Sequence, residues 1–101
     1  MTLHGIDIPQ ERMAAFCREN GIRRLALFGS VLRDDFRPDS DVDVLVEFQA
    51  GVRVGYFAIA RMARELADMM GRAVDMRTPA ELHPAFRDEV MKEALTEYVA
   101  A

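Results

Sequence analysis

Asp41 and Asp43 stand two residues apart at the head of an apolar run, Val42 to Phe48. Side chains alternate along a strand, so both carboxylates would point to one face. Two ionised carboxylates side by side repel each other, and either a proton or a cation must neutralise the pair. Mg²⁺ prefers oxygen ligands and commonly bridges carboxylates to a substrate's phosphates. Asp75 is a third candidate, set in the short apolar stretch Ala73-Val74-Asp75-Met76, where an unpaired charge is costly. If that stretch lies beside the Asp43 strand, the three carboxylates form a cluster. Such a cluster can serve two metals, one activating an attacking hydroxyl and the other steadying a triphosphate and its leaving group.

Asp-x-Asp by itself is most often a pair of solvated turn residues, and Gly-Ser by itself is usually just a turn. Here Gly29-Ser30 follows an apolar stretch, and ten residues separate Ser30 from Asp41. Glycine permits close backbone approach, while exposed N–H groups and the Ser30 hydroxyl can hold a phosphate. Arg33 and Arg37 flank the segment. Either could fork onto phosphate oxygens, or pair instead with Asp34, Asp35 or Asp39.

The elements that must position these groups can be read in outline. Pro9 and Gly21 bracket a helix over residues 9–20, with Met13, Phe16 and Cys17 on its apolar face. Residues 24–28 form a short strand, and 30–40 a polar connection. The strand over 42–48 is followed by a glycine-containing loop at 49–55. Residues 56–70 form a helix with a broad apolar face, stopped by Gly71. Residues 73–77 form a third strand. A final helix spans Pro84 to about Tyr98, with Phe86, Val90, Met91, Ala94, Leu95 and Tyr98 at helical spacing. The order helix, strand, strand, helix, strand, helix implies an α/β (α+β) fold with a small mixed sheet flanked by helices.

Size and charge limit the function. The chain has 101 residues and a net charge of −4, which suits one domain over 1–101 and leaves no room for a separate substrate domain. The acidity gives no electrostatic case for direct nucleic-acid binding. The single cysteine, Cys17, excludes an intrachain disulfide and a cysteine-based zinc site. No apolar run is long enough to span a bilayer, and the N-terminus lacks a secretory signal, so the expected location is cytoplasmic.

The pattern Gly29-Ser30, Arg33, Pro38, Ser40, Asp41 and Asp43, followed by Val44-Leu45-Val46, resembles the minimal nucleotidyltransferase (MNT) family of the DNA polymerase β-like superfamily. The resemblance covers nearly the whole chain and implies a polymerase β-like nucleotidyltransferase core. It implies Mg²⁺ as cofactor and ATP as substrate, with AMP transferred to a hydroxyl and pyrophosphate released. Carried over by motif, Asp41 and Asp43 would be catalytic metal ligands. Asp75 would be the third carboxylate, serving the metal site and activation of the acceptor. Gly29, Ser30, Arg33 and Ser40 would bind the nucleotide. Asp34 departs from the small residue, commonly glycine, found there in many members. Many members are antitoxins that adenylylate a tyrosine of a cognate HEPN-domain ribonuclease toxin, in type VII-like toxin–antitoxin pairs.

Two other functions compete with that one. The domain could neutralise a partner by binding and occlusion alone, a reading that suits the methionines on its helices. It could also transfer a nucleotide to a small-molecule hydroxyl, although a small acceptor needs a walled pocket. His4 and His83 have no metal-ligand spacing and read as structural. Cys17 reads as helix packing, Arg23 and Arg24 as strand-end charges, and Tyr56, Phe57 and Tyr98 as packing residues.

Overall fold

The computed structural model describes residues 2–101. Strands β1 (Thr2–Leu3) and β2 (Ile6–Asp7) pair antiparallel as a small hairpin. Its two-residue turn, His4-Gly5, has positive φ at both positions, as the turn favoured in tight hairpins requires. Helix α1 (Gln10–Glu19) follows, then β3 (Ile22–Phe28). A single 3₁₀ turn, Gly29–Leu32, leads into the connection to β4 (Val42–Phe48). Helix α2 (Tyr56–Met70) and β5 (Val74–Arg77) come next. A second 3₁₀ turn (Pro79–Glu81), α3 (Pro84–Glu93) and β6 (Leu95–Val99) complete the chain.

The main sheet has the order β5-β4-β3-β6. Strand β3 is antiparallel to both β4 and β6, whereas β4 and β5 are parallel. A parallel pair needs a crossover, and α2 supplies it. The sheet is therefore mixed, as the alternating elements imply. Leu25 and Leu27 of β3 and Val42, Val44 and Val46 of β4 join Met13, Phe16 and Cys17 of α1 and Met62, Leu66 and Met70 of α2 in one buried core. Gly71 ends α2 in the left-handed region at φ 67°, and its N–H donates to the Ala67 carbonyl at 2.8 Å.

Three expectations from the sequence fail: the length of the last helix, the solvated reading of Arg23 and Arg24, and the packing of Tyr56 and Phe57, whose rings are exposed. The helical period through residue 98 does not continue, because α3 stops at Glu93 and 95–99 form an edge strand. Thr96, Tyr98 and Val99 are strand formers, and the edge of β3 offers them partners that no local pattern reveals. Leu95 pairs with Leu27, Tyr98 with Leu25 and Val99 with Arg24. The Arg24 guanidinium also donates to the Thr96 hydroxyl at 2.9 Å. Arg23 and Arg24 are not merely solvated: both pair with Glu47 of β4, at 2.6 and 3.0 Å. The arginines thus tie β3 to its neighbours on either side. His83 caps α3, its Nδ1 accepting from the Ala85 N–H at 3.0 Å. Among the described residues, no helix is long and apolar enough to cross a membrane.

Candidate active site

The sheet register assembles the acidic group. Phe28 of β3 lies opposite Asp43 of β4, and Asp43 lies opposite Asp75 of β5. Three neighbouring strands therefore bring the residue before Gly29, the second aspartate of the Asp-x-Asp pair and Asp75 into one row. Asp41 sits two residues before Asp43, just outside β4. Val42 and Val44 point into the core, so the alternation sends the carboxylates to the opposite face.

Crowding has an electrostatic consequence. Burial pushes the Asp43 carboxyl above the usual carboxylate range, and the negative charges of Asp75 and Asp41 push it further. The cations of Arg77 and Arg33 partly offset this. The group is built to attract positive charge.

Arg77 gave no signal in the sequence beyond its spacing. It lies two residues after Asp75 on β5, hence on the same face. Its guanidinium forks onto the Asp75 carboxylate, with Nε to Oδ1 at 3.2 Å and Nη2 to Oδ2 at 3.3 Å. Among the described residues, no three potential ligands converge closely enough to hold a metal ion as they stand, and Asp75 is turned into this fork. That does not exclude a cation at Asp43, because Mg²⁺ typically takes one or two carboxylates and completes its shell with phosphate and water oxygens.

Gly29 is required twice over. Its φ is +73°, a conformation that L side chains rarely adopt, and a Cβ there would collide with Asp43 Oδ2. The Gly29 backbone is thus held against the acidic group, with the Ser30 turn beside it. The Arg33 N–H closes the turn on the Ser30 carbonyl at 2.9 Å. The Arg33 side chain is mostly exposed, 3.4 Å from Asp35, and lines a cleft together with Gly29. Ser40 is less available: its Oγ accepts from the Arg37 N–H at 3.2 Å, and its own N–H donates to the Arg37 carbonyl at 3.0 Å. It closes the turn that delivers Asp41.

A second unforeseen residue holds that loop. Arg72 donates from Nη1 to the carbonyl of Arg37 at 3.1 Å, and its guanidinium lies 4.9 Å from the Phe36 ring centroid. The connection from Ser30 to Asp41 is pinned from the end of α2.

Two clefts are lined by the neighbours of Asp43, although Asp43 itself lines neither. One, of about 550 Å³, lies between the Gly29 turn and α3. The other, of about 450 Å³, is lined by Tyr56, Ile59, Asp75, Arg77 and Glu81. The row therefore has a glycine side and an Asp75 side, each with room for a ligand.

The chain is similar in sequence and fold to known proteins. Residues 11–96 match the family model described as a nucleotidyltransferase domain. A Methanocaldococcus jannaschii protein, provisionally named a protein adenylyltransferase, is 34% identical over 77 residues, covering 76% of this chain and 81% of the relative. A solved structure provisionally described as a minimal nucleotidyltransferase is 35% identical with a TM-score of 0.70, covering 85% of this chain and 86% of the other. Two further structures share the fold at 18% identity. A toxin–antitoxin crystal structure with AMP-PNP has a TM-score of 0.72, covering 92% of this chain and 75% of the matched one. A complex of the tri-AMPylated Shewanella oneidensis HEPN toxin with an MNT antitoxin has a TM-score of 0.64, covering 90% and 70%. This chain, with its glycine turn packed against a β4 carboxylate and a further carboxylate in register on β5, is a member of the nucleotidyltransferase domain family in its minimal form.

Proposed function

We propose that this chain is a Mg²⁺-dependent protein adenylyltransferase that moves AMP from ATP to a tyrosine hydroxyl of a cognate HEPN-type ribonuclease toxin, and so acts as an antitoxin in the cytoplasm. The observation that carries this reading is that Asp43 meets the Gly29 turn on one side and Asp75 in register on the other, with a cleft beside each. The relative named for protein adenylyl transfer supports AMP as the group moved. The toxin–antitoxin complexes, one with AMP-PNP and one with a modified HEPN toxin, support ATP as donor and a toxin as acceptor.

In this reading the triphosphate lies against the Gly29-Ser30 turn, whose backbone approaches as only glycine allows. Arg33 reaches the same cleft and offers a guanidinium to the phosphate oxygens. Asp41 and Asp43 are the metal ligands, and the repulsion among the carboxylates favours a cation there. Bound Mg²⁺ supplies charge neutralisation at the phosphates and polarisation of the reacting oxygens. Asp75 faces the other cleft and takes the proton from the acceptor hydroxyl. The acceptor oxygen then bonds to the α-phosphorus, the bond from that phosphorus to the bridging oxygen breaks, and pyrophosphate leaves on the glycine side. Arg77 orients Asp75, and Ser40 holds the loop that presents Asp41.

The test is transfer itself. The protein is incubated with ATP, Mg²⁺ and its co-encoded helical partner, and the partner is weighed. The expected result is a gain of one or more adenylyl masses, mapped to tyrosine and lost when Asp41→Asn and Asp43→Asn are combined. A double variant that still transfers AMP, or a native protein that transfers none, overturns the reading. A double variant that neutralises the toxin as fully as the native chain would instead favour occlusion.

A further inference from the structure

The cleft on the glycine side has features that phosphate binding does not use. Four of its lining residues, Phe86, Glu89, Val90 and Glu93, come from α3. They stand at i, i+3, i+4 and i+7, so they form one helix face. Phe86 is 61% exposed, a large apolar ring left uncovered at the cleft wall. The His83 ring lies 5.7 Å from it, and the same His83 caps the helix.

The register gives this cleft a direction. Leu95 pairs with Leu27, so the end of α3 that carries Glu93 sits by the strand end leading into Gly29. Phe86 lies seven residues back, about 10 Å further along the helix at 1.5 Å per residue. Along α3 from its Glu93 end, the cleft wall therefore presents a carboxylate first and an aromatic ring last. A nucleoside triphosphate has the matching order of phosphates, ribose hydroxyls and base. A cavity of about 550 Å³ falls in the range of small-ligand sites.

We propose that this cleft is the nucleoside subsite, with Phe86 as the stacking platform for the base and Glu93 as the acceptor for a ribose hydroxyl. The inference rests on the nucleotidyl-transfer reading above and adds residues that determine nucleotide affinity. Aromatic stacking tolerates any base, because each has a π-face. A carboxylate on the ribose diol favours ribonucleotides over deoxyribonucleotides, as acidic residues do in dinucleotide-binding folds.

The experiment is calorimetric titration of the full chain, in Mg²⁺, with ATP, dATP and inorganic tripolyphosphate. In Phe86→Ala, ATP affinity should fall about tenfold, the loss of one base–aromatic stack, while tripolyphosphate affinity stays unchanged. In Glu93→Ala, ATP should weaken about tenfold, as for a lost charge-assisted hydrogen bond, and become equal to dATP. Unchanged ATP binding in both variants overturns the proposal. If Phe86→Ala loses tripolyphosphate as well, Phe86→Trp decides: recovery of ATP affinity supports the platform, and continued loss overturns it. A native chain that binds neither ATP nor tripolyphosphate overturns the nucleotidyl-transfer reading, and this inference with it.

Discussion

Gly29→Ala tests the site more sharply than removal of a carboxylate, because it adds one methyl group and changes no charge. Two costs follow. The backbone sits at φ +73°, and an L residue in the left-handed region pays about 1–2 kcal/mol. The new Cβ would also lie against Asp43 Oδ2, with Asp43 Cγ only 3.3 Å away, so the carboxylate must move. Gly51→Ala separates the two effects. Gly51 also has positive φ, +84°, but a Cβ there meets nothing within 4 Å. Both variants should lose about 1–2 kcal/mol in chemical denaturation from the backbone alone. Only Gly29→Ala should lose transfer, by about a hundredfold or more, the cost of displacing a reacting group by about 1 Å. The assay measures AMP transfer to the co-encoded partner, alongside urea unfolding of each variant. Near-native transfer in Gly29→Ala, or equal losses of transfer in both variants, would refute the reasoning.

Asp43→Asn should abolish transfer yet raise the unfolding temperature at neutral pH. The Asp43 carboxyl is raised above its ordinary range by burial and by Asp75 and Asp41, so the folded state holds this proton more tightly than the unfolded one. Its contribution favours folding at low pH and turns to a cost as pH rises through the raised value; the thermal advantage of the variant should therefore shrink on acidification, as followed by circular dichroism. Arg72→Ala should remove the hydrogen bond to the Arg37 carbonyl and the cation over Phe36; each is worth about 0.5–3 kcal/mol at most, and amide exchange over residues 33–40 should quicken while the core is unaffected. Cys17 is fully buried, with its thiol pushed up to about 12; it should resist a thiol reagent at pH 8 in the native state and react completely in denaturant.

How much of this was legible in the sequence depends on whether a residue's partner is local. Val42–Phe48 and Tyr56–Met70 match their expected ranges, because strand alternation and helical period are carried within each segment. The segment 95–99 misleads for the opposite reason. Leu95 and Tyr98 extend the helical spacing of Phe86, Val90 and Met91, and only the free edge of β3 makes them a strand. Asp41 and Asp43 announce themselves by spacing, and the pairing of Asp43 with Asp75 follows once β4 and β5 are known to be neighbours. Arg77 and Arg72 leave no such trace. Each acts through a contact, with Asp75 and with the 33–40 loop, that exists only after folding.

Under the proposed function, the position of Asp43 on an interior strand lets a small sheet serve phosphoryl transfer. An in-line displacement forms one bond and breaks another on opposite sides of phosphorus. The site must therefore offer room on both sides of the phosphorus, beside the charged groups that serve it. Strand β4 has β3 on one side and β5 on the other, so its carboxylate borders the glycine turn and Asp75 at once. An edge strand could border only one of them. The same placement bears on the proposed acceptor. The cleft on the Asp75 side is rimmed by Tyr56, which is 80% exposed, and beside it Phe57 is 86% exposed. A small acceptor would need walls there, whereas a tyrosine presented by a protein brings its own surface to cover those rings. Replacing Tyr56 and Phe57 by serine should then weaken transfer to the partner while leaving ATP binding intact, and equal transfer by that variant would argue that the acceptor does not approach from this side.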